Sequence, residues 1–234
     1  MDPPRQVTES DLFVQLAKDD ELRAGLTSMR SVVASLAETT SRTIPHFTDD
    51  TVCHMDALWA IAECVLTPTE ISRFTPAEAF LLGASFYLHD IGMAYVATEE
   101  GLHRIKQSSA FRGFIAALPE CDRNGSRAET RAITVAVRQL HADAAIELAT
   151  QEIPGASGRY LFEALSFRDT WTSTCGAIAS SHHWTIAQLD DRFSRQGDAP
   201  LPGNRKGDLL YVAACLRLID YQGCSMLHTF EWKG

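Results

Sequence analysis

The chain has 234 residues, of which 45% are hydrophobic and 22% charged, a composition typical of one globular domain with a packed core. Its 21 Lys and Arg residues against 30 Asp and Glu residues give a net charge of −9, which argues against duplex nucleic acid as a partner. No apolar segment reaches the length of a membrane span and the start does not resemble a signal peptide, so we expect a cytoplasmic protein with no membrane partner.

The hydrophobic periodicity is helical along nearly the whole chain, and no segment alternates as a half-buried strand does. We therefore expect an all-α fold. We divide it into an N-terminal helical segment, residues 1–44, which packs on the core, and one globular unit, residues 45–234. The predicted helices are Glu9 to Thr40, Thr48 or Asp49 to Val65, Pro76 to Leu88, Ala128 to Gln151, Phe167 to His183, and Gly207 to Tyr221.

Several short signals mark the boundaries of these helices. Thr67 with Glu70 and Thr75 with Glu78 form two capping boxes, each with proline at the first helical position. Gly92 is suited to the left-handed turn that ends a helix. The segment from Arg192 to Lys206, with its prolines and glycine, is predicted as a surface loop.

The six cysteines lie far apart and form no Cys-x-x-Cys pair. Most fall in apolar helical segments, which predicts reduced thiols in the core and no disulfide framework. They are Cys53, Cys64, Cys121, Cys175, Cys215 and Cys224.

Histidine and aspartate residues recur in helices that are otherwise apolar. A single histidine in such a helix is more often a hydrogen-bonded core residue than a ligand. Here, however, successive predicted helices each carry one or two of them, and adjacent residues such as His89 and Asp90 project about 100° apart, so they can reach one metal ion or two neighbouring ones. The candidate metal ligands are His54, His89, Asp90, His141, His182, His183 and Asp220.

This order of residues resembles the HD-domain superfamily, whose helical bundle binds metal through a histidine, a later His-Asp pair and a final aspartate. The resemblance covers roughly residues 45–221 and rests on Thr48–His54, Leu88–Met93 and Leu216–Asp220. His141 and the pair His182-His183 are similar to the fuller ligand set of HD-GYP phosphodiesterases and of the HD nuclease domain of CRISPR helicase-nucleases. The chain looks most like the bacterial HD-CE type, which is often joined to an Hsp90-like ATPase module.

The resemblance implies a metal-dependent phosphohydrolase or phosphodiesterase that acts on a nucleotide-like small molecule through a metal-activated water. One or two divalent ions, Mn²⁺, Fe²⁺, Ni²⁺ or Mg²⁺, would serve as cofactor, with many imidazoles favouring a transition metal. Asp90 would bridge two ions, His54, His89 and Asp220 would complete one site, and His141, His182 and His183 would hold the second. Asp90 and His89 are the candidate catalytic residues.

A phosphate-bearing substrate needs cations around it. Arg138 lies three residues before His141 and Arg217 lies three residues before Asp220, so each shares a helix face with a candidate ligand, and both are predicted to bind substrate. Arg104, Lys106 and Arg131 also lie on or near the helices around His141. Solvated helix faces explain Arg138, Arg104, Lys106 and Arg131 equally well. The alternative for Arg217 is a partly buried arginine paired with a carboxylate.

Three positions depart from the family patterns. Asp50 stands where such sequences often have another histidine, Gly223 stands where a second aspartate often follows, and Met93 replaces the lysine of the HD-GYP motif. The last difference, with the absence of a Gly-Tyr-Pro segment, argues against cyclic-di-GMP as the substrate. Two alternatives stay open: a single-strand nuclease, which the acidic balance disfavours, and a regulatory HD module that partners an Hsp90-like ATPase domain or subunit. An oligomer is also left open.

Overall fold

The computed structural model describes residues 5–43, 52–153, 158–163, 165–193 and 198–230. Its elements are almost all helical, which confirms the predicted all-α fold. The α-helices are Arg5–Thr8 (α1), Asp11–Leu16 (α2), Asp20–Thr43 (α3), Val52–Val65 (α4), Pro68–Arg73 (α5), Pro76–Leu88 (α6), Glu99–Gln107 (α7), Ser109–Ala117 (α8), Ser126–Thr150 (α9), Arg168–Ser180 (α10), Ile186–Phe193 (α11) and Leu209–Phe230 (α12). Short 3₁₀ helices span Ile91–Ala97, Glu120–Asp122 and Ser181–His183.

Helix α6 is the centre of the bundle. It is buried from Ala79 to Leu88, and α2, α3, α4, α10 and α12 pack around it. Its start is fixed by the predicted capping box: the Thr75 hydroxyl accepts from the backbone N–H of Glu78, and the Glu78 carboxylate accepts from the backbone N–H of Thr75. The box at Thr67 and Glu70 is confirmed in the same way. Because α6 is held at its start and enclosed along its length, it delivers His89 and Asp90 to the interior.

The N-terminal segment forms part of the same core. The predicted helix from Glu9 to Thr40 is in fact two helices, because the chain turns between α2 and α3, where the Asp19 side chain accepts from the backbone N–H of Leu22. The buried apolar side chains of α2 and α3 contribute to the core that also encloses α6. The division of the chain at residue 44 stays a prediction.

A β-hairpin replaces part of the predicted surface loop. Strands Asp198–Leu201 (β1) and Arg205–Asp208 (β2) pair antiparallel, with Ala199 opposite Gly207. The turn between them uses two left-handed residues, Gly203 (φ 73°) and Asn204 (φ 61°). Strand propensity is low here, and the pairing depends instead on the turn and on an anchor outside the hairpin, the backbone N–H of Asp208 donating to the Glu78 carboxylate at 2.8 Å.

Several helix boundaries differ from the prediction. The predicted helix from Phe167 to His183 ends at Ser180 and is followed by the 3₁₀ helix Ser181–His183. The described part of α4 starts at Val52, and the expected cap at Thr48 or Asp49 falls outside the described residues. Helix α12 continues past Tyr221, so that Asp220 lies near its middle.

The cysteine prediction was partly wrong. Among the described thiols Cys175 and Cys215 are buried, whereas Cys53, Cys64 and Cys121 are exposed and all five are free. Cys53 and Cys64 lie on the outer side of α4, where an apolar helix still meets solvent. Within the described residues no single helix is long and apolar enough to cross a membrane, and only a pair bent by 78°, Pro76–Ala94 with Glu99–Gln107, passes by length and composition together.

Candidate metal centre

Two groups of ligand atoms meet inside the bundle. The first combines His54 from α4 with His89 and Asp90 from the end of α6, and one ligand atom from each lies within 4.8 Å of the others. Asp220 on α12 joins this group, with its Oδ1 3.6 Å from His89 Nε2. His89 is 1% exposed, so the group is closed to solvent on that side.

The second group consists of three histidines. His141 comes from the middle of α9, and His182 and His183 come from the 3₁₀ helix that follows α10. One ring nitrogen of each lies within 4.8 Å of the others. His141 is buried, His182 is partly buried and His183 is exposed, so this group lies nearer the surface.

Asp90 links the two groups through its two carboxylate oxygens. Its Oδ2 lies 3.0 Å from His89 Nε2, and its Oδ1 lies 3.1 Å from His141 Nε2. The structure therefore brings all seven predicted ligands together, in the same grouping that the resemblance implies. The two oxygens of one carboxylate face different sets of imidazoles, so Asp90 would suit a ligand shared by two ions.

Backbone carbonyls fix the orientation of three of the rings. Each Nδ1–H donates to the carbonyl three residues earlier: His89 to Phe86 at 3.0 Å, His141 to Arg138 at 2.8 Å and His182 to Ala179 at 2.6 Å. Because a carbonyl only accepts, Nδ1 carries the proton in each ring, and Nε2 of a neutral ring keeps its lone pair. All three Nε2 atoms point into the centre, which is the outer-shell arrangement typical of metal-binding histidines.

The positions of the Nε2 atoms of His89, His141 and His182 are better explained by metal binding than by hydrogen bonds between the rings. His89 Nε2 is buried and makes no aligned hydrogen bond among the described residues, although two carboxylates lie close to it. His141 Nε2 and His182 Nε2 are 3.1 Å apart, so two neutral rings would direct lone pairs at each other unless a cation or a proton is shared. Two ligands at about 2.1 Å from one ion are separated by about 3.0–3.4 Å, which matches that spacing.

The charges of the centre favour cation binding. Burial lowers the pKa of His89, but the charges of Asp90 and Asp220 outweigh burial and raise it to about 9. Burial alone would raise the pKa of Asp90, yet His89 and His141 hold it well below its usual range. Burial lowers the pKa of His182 to about 3 and also lowers that of His183, so both rings are neutral at physiological pH and available as ligands.

Most of the cations expected near the substrate are already engaged. Arg104 pairs with Glu147, and Lys106 pairs with Glu129. Arg131 lies over the ring of Phe114, 5.7 Å from its centroid.

The two predicted substrate-binding arginines differ in their surroundings. Arg138 is exposed on α9, one turn before His141, and its carbonyl is the one that orients that ring. Arg217 is partly buried and donates Nη1–H to the backbone carbonyls of Ser181 and Trp184. Substrate binding by either arginine stays a prediction.

The HD-CE family model matches residues 44–223, which include every candidate ligand. This chain belongs to the HD-CE family. HD domains are generally metal-dependent hydrolases, a property that suits the His and Asp groups of this HD-CE member. No curated protein and no solved structure was found to match the chain.

Arg217 has a role in this HD-CE protein that the sequence did not predict. By donating to carbonyls on both sides of His182-His183, it attaches the 3₁₀ helix of the second ligand group to α12, which carries Asp220. In the sequence, only the three-residue spacing between Arg217 and Asp220 indicated that Arg217 lies near the metal centre. The carbonyls that orient the histidines gave no sequence signal at all, because any residue supplies one.

We expect Arg217→Met to weaken this attachment. Hydrogen bonds to a charged group contribute about 1.5–3 kcal/mol, so the free energy of unfolding should fall by about that amount. Urea denaturation of metal-stripped protein measures it, and Arg192→Met, at an exposed arginine of α11, is the matched control. Equal stability of the Arg217 and Arg192 variants would contradict the role.

Gly92 also differs from its predicted role in this HD-CE chain. It lies in the 3₁₀ helix Ile91–Ala97, and the described residues with positive φ do not include it, so it does not form a left-handed turn. A Cβ at Gly92 would instead overlap the carbonyl oxygen of His141. Glycine therefore lets the backbone after Asp90 approach α9, which keeps Asp90 within reach of His141.

We expect Gly92→Ala to separate these two backbones. Overpacking of this kind costs about 1–3 kcal/mol and should lower the melting temperature and the metal affinity together. Gly113→Ala is the control, because a Cβ there meets nothing within 4 Å and Gly113 lies inside α8, where alanine is the better helix former. A Gly92→Ala protein as stable as its Gly113→Ala counterpart would show that the contact is dispensable.

Proposed function

We propose that this chain is a metal-dependent phosphohydrolase or phosphodiesterase that acts on a nucleotide-like phosphoester. The observation that carries the proposal is the position of Asp90, whose two oxygens face two separate sets of imidazoles at 3.0 and 3.1 Å. A carboxylate between two ligand sets suits a pair of divalent ions a few ångströms apart, the arrangement of many phosphoester-cleaving sites.

The candidate ligands divide into two sets, one for each ion. His54, His89 and Asp220 would hold one ion, and His141, His182 and His183 the other, with Asp90 shared between them. Bound divalent ions lower the pKa of a coordinated water towards neutrality and offset the charge of phosphate oxygens. The preponderance of imidazole favours Mn²⁺, Fe²⁺ or Ni²⁺ over Mg²⁺.

The proposal favours a small substrate over a long strand. Among the five candidate cations, Arg104 and Lys106 pair with Glu147 and Glu129, Arg131 lies over Phe114 and Arg217 donates to backbone carbonyls. The whole chain carries a net charge of −9. A nucleic-acid strand relies on a positive groove that follows its backbone. A nucleotide-like molecule needs only one or two cations near its phosphate, and exposed Arg138 is a candidate.

Elemental analysis of protein purified without added metal, followed by a hydrolysis screen, tests this function. The screen covers phosphomonoesters, nucleotides, cyclic dinucleotides and single strands with Mn²⁺, Fe²⁺, Ni²⁺ and Mg²⁺. We expect one or two transition-metal ions per chain and turnover of a small phosphoester. Preferential cleavage of single strands would favour the nuclease. Complete metal occupancy without turnover of any substrate would favour the regulatory module that partners an Hsp90-like ATPase.

A further inference from the structure

A buried polar network connects the N-terminal segment to the helices of the metal centre. Arg30 on α3 donates Nε–H to Oδ1 of Asp56 at 2.8 Å and Nη2–H to Oδ2 at 2.5 Å. The Tyr87 hydroxyl donates to Asp56 Oδ1 at 2.8 Å, and Trp59 Nε1 donates to the Tyr87 oxygen at 3.1 Å. We call these four residues the Arg30 network. Arg30 is only 5% exposed and Asp56 only 8%, so solvent hardly reaches the pair.

The Arg30 network lies directly behind two candidate ligands. Asp56 follows His54 by two residues on α4, and Tyr87 precedes His89 by two residues at the end of α6. Two residues of an α-helix correspond to a rotation of about 200°, so the network and the ligands lie on opposite sides of the same two helices. Fixing α4 against α6 on one side therefore sets the directions of His54 and His89 on the other.

Asp56 holds α4 close to His54, which lies two residues before it on the same helix. It is fixed there by an arginine on α3 and a tyrosine on α6. The rings of His54 and His89 lie with their centroids 6.1 Å apart, so a small rotation of α4 would alter their relation.

The buried ion pair of Arg30 and Asp56 is better suited to orienting α3 and α4 than to stabilising the fold. A buried ion pair gains little over apolar side chains of similar volume, since desolvation offsets the attraction. A bidentate arginine–carboxylate pair, by contrast, fixes both distance and angle. The presence of such a pair two residues from His54 on α4 therefore suits a requirement for geometry.

We propose that Arg30 is a positioning residue for the half of the metal centre formed by His54 and His89. The proposal rests on the proposed metal-dependent function. Arg30 acts through Asp56 and Tyr87, and it lies outside residues 44–223, which the HD-CE family model matches. The N-terminal segment therefore completes a site whose ligands all belong to the HD-CE region.

The test is Mn²⁺ titration of the metal-stripped full chain by calorimetry. The main variant combines Arg30→Met with Asp56→Leu, which replaces the pair by apolar side chains and leaves no buried charge. We expect it to fold and to bind one of two Mn²⁺ ions more weakly, by up to the about 10–100-fold that loss of a directly hydrogen-bonded outer-shell partner costs, with the other ion unaffected. Arg30→Lys, which keeps the charge but loses the bidentate geometry, should lie between wild type and the double variant.

Two further measurements distinguish a failure of the positioning role from a failure of the proposed metal-dependent function. Histidine ring resonances of the metal-stripped protein should shift for His54 and His89 in the double variant and stay unchanged for His183. Tyr87→Phe removes one hydrogen bond of the network, and a severalfold loss of affinity is expected from it even if the double variant does not fold. Wild-type Mn²⁺ affinity in both the double and the Tyr87 variants would overturn the positioning role. A wild-type chain that binds no divalent metal would overturn the proposed function instead, and the ring resonances would then decide the role of Arg30.

Discussion

Asp90→Ala is expected to abolish metal-dependent phosphoester hydrolysis while leaving the helical content unchanged. The Asp90 carboxylate faces both ligand sets, at 3.0 Å from His89 and 3.1 Å from His141. Metal ions contribute several kcal/mol of transition-state stabilisation, and each 1.36 kcal/mol is a factor of ten in rate, so loss of the shared ligand should lower kcat by about 10³-fold or more.

The measurement compares phosphate or nucleoside release by wild type and variant across the substrate screen, with circular dichroism as the folding control. Asp122→Ala is the matched variant, because it removes an exposed carboxylate from the 3₁₀ helix Glu120–Asp122. The Asp122 variant should keep wild-type activity. Equal activity in the Asp90 variant would show that the hydrolysis comes from another site or from a contaminant.

Metal ions are expected to stabilise the fold strongly, and increasingly so as the pH rises. A ligand at 100 times its Kd adds about 2.7 kcal/mol, and a chain of this size gains about 2–4 °C in Tm per kcal/mol. Two ions should therefore raise the Tm by about 10–20 °C. Calorimetry with EDTA and with Mn²⁺ measures the difference.

The sign of the pH dependence follows from His89. Its pKa in the fold, about 9, lies above its ordinary value of 6.5, so in metal-stripped protein its proton contributes stability below pH 6.5 that is lost as the pH rises through 9. That contribution is about 3 kcal/mol, at about 1.4 kcal/mol per pKa unit. A metal ion displaces this proton, so its affinity should rise about tenfold per pH unit over the same range.

The stabilisation by Mn²⁺ should therefore be larger at pH 8.5 than at pH 6.5, while the protein in EDTA becomes less stable across the same range. A metal-induced rise in Tm that is independent of pH would show that metal binding does not displace the proton of His89. In that case His89 would not be a ligand.

The sequence predicted those features that rest on local chemistry. The capping boxes, the buried helix Pro76–Leu88 and the order of histidines along the helices are all visible in residue types and their spacing. Such signals depend on side chains a few residues apart, which a helix brings together in a known way. The all-α class could therefore be predicted, whereas the set of residues that meet in the centre was predicted from their order along successive helices and from the resemblance to HD domains.

Features that depend on distant backbone could not be predicted in the same way. Gly92 was assigned to a left-handed turn because its contact, the carbonyl of His141, lies 49 residues away and on another helix. The β-hairpin depends on Glu78, which is 130 residues from Asp208 in the chain. Arg217 contacts backbone carbonyls, which every residue type has, so the sequence does not mark them. Arg30 and Asp56 lie on different helices, α3 and α4, and meet only when these helices pack.

The unequal depth of the two ligand groups bears on how fast each ion would be exchanged. His89 is almost completely shielded, whereas His183 is open to solvent. An ion held beside His89 would be reached only past the partly buried His54, Asp90 and Asp220, while one held beside His183 would be open to attack by chelators from solution. Brief treatment with EDTA should accordingly yield a protein that retains one ion per chain, and the inner position should keep whichever metal it acquired during folding.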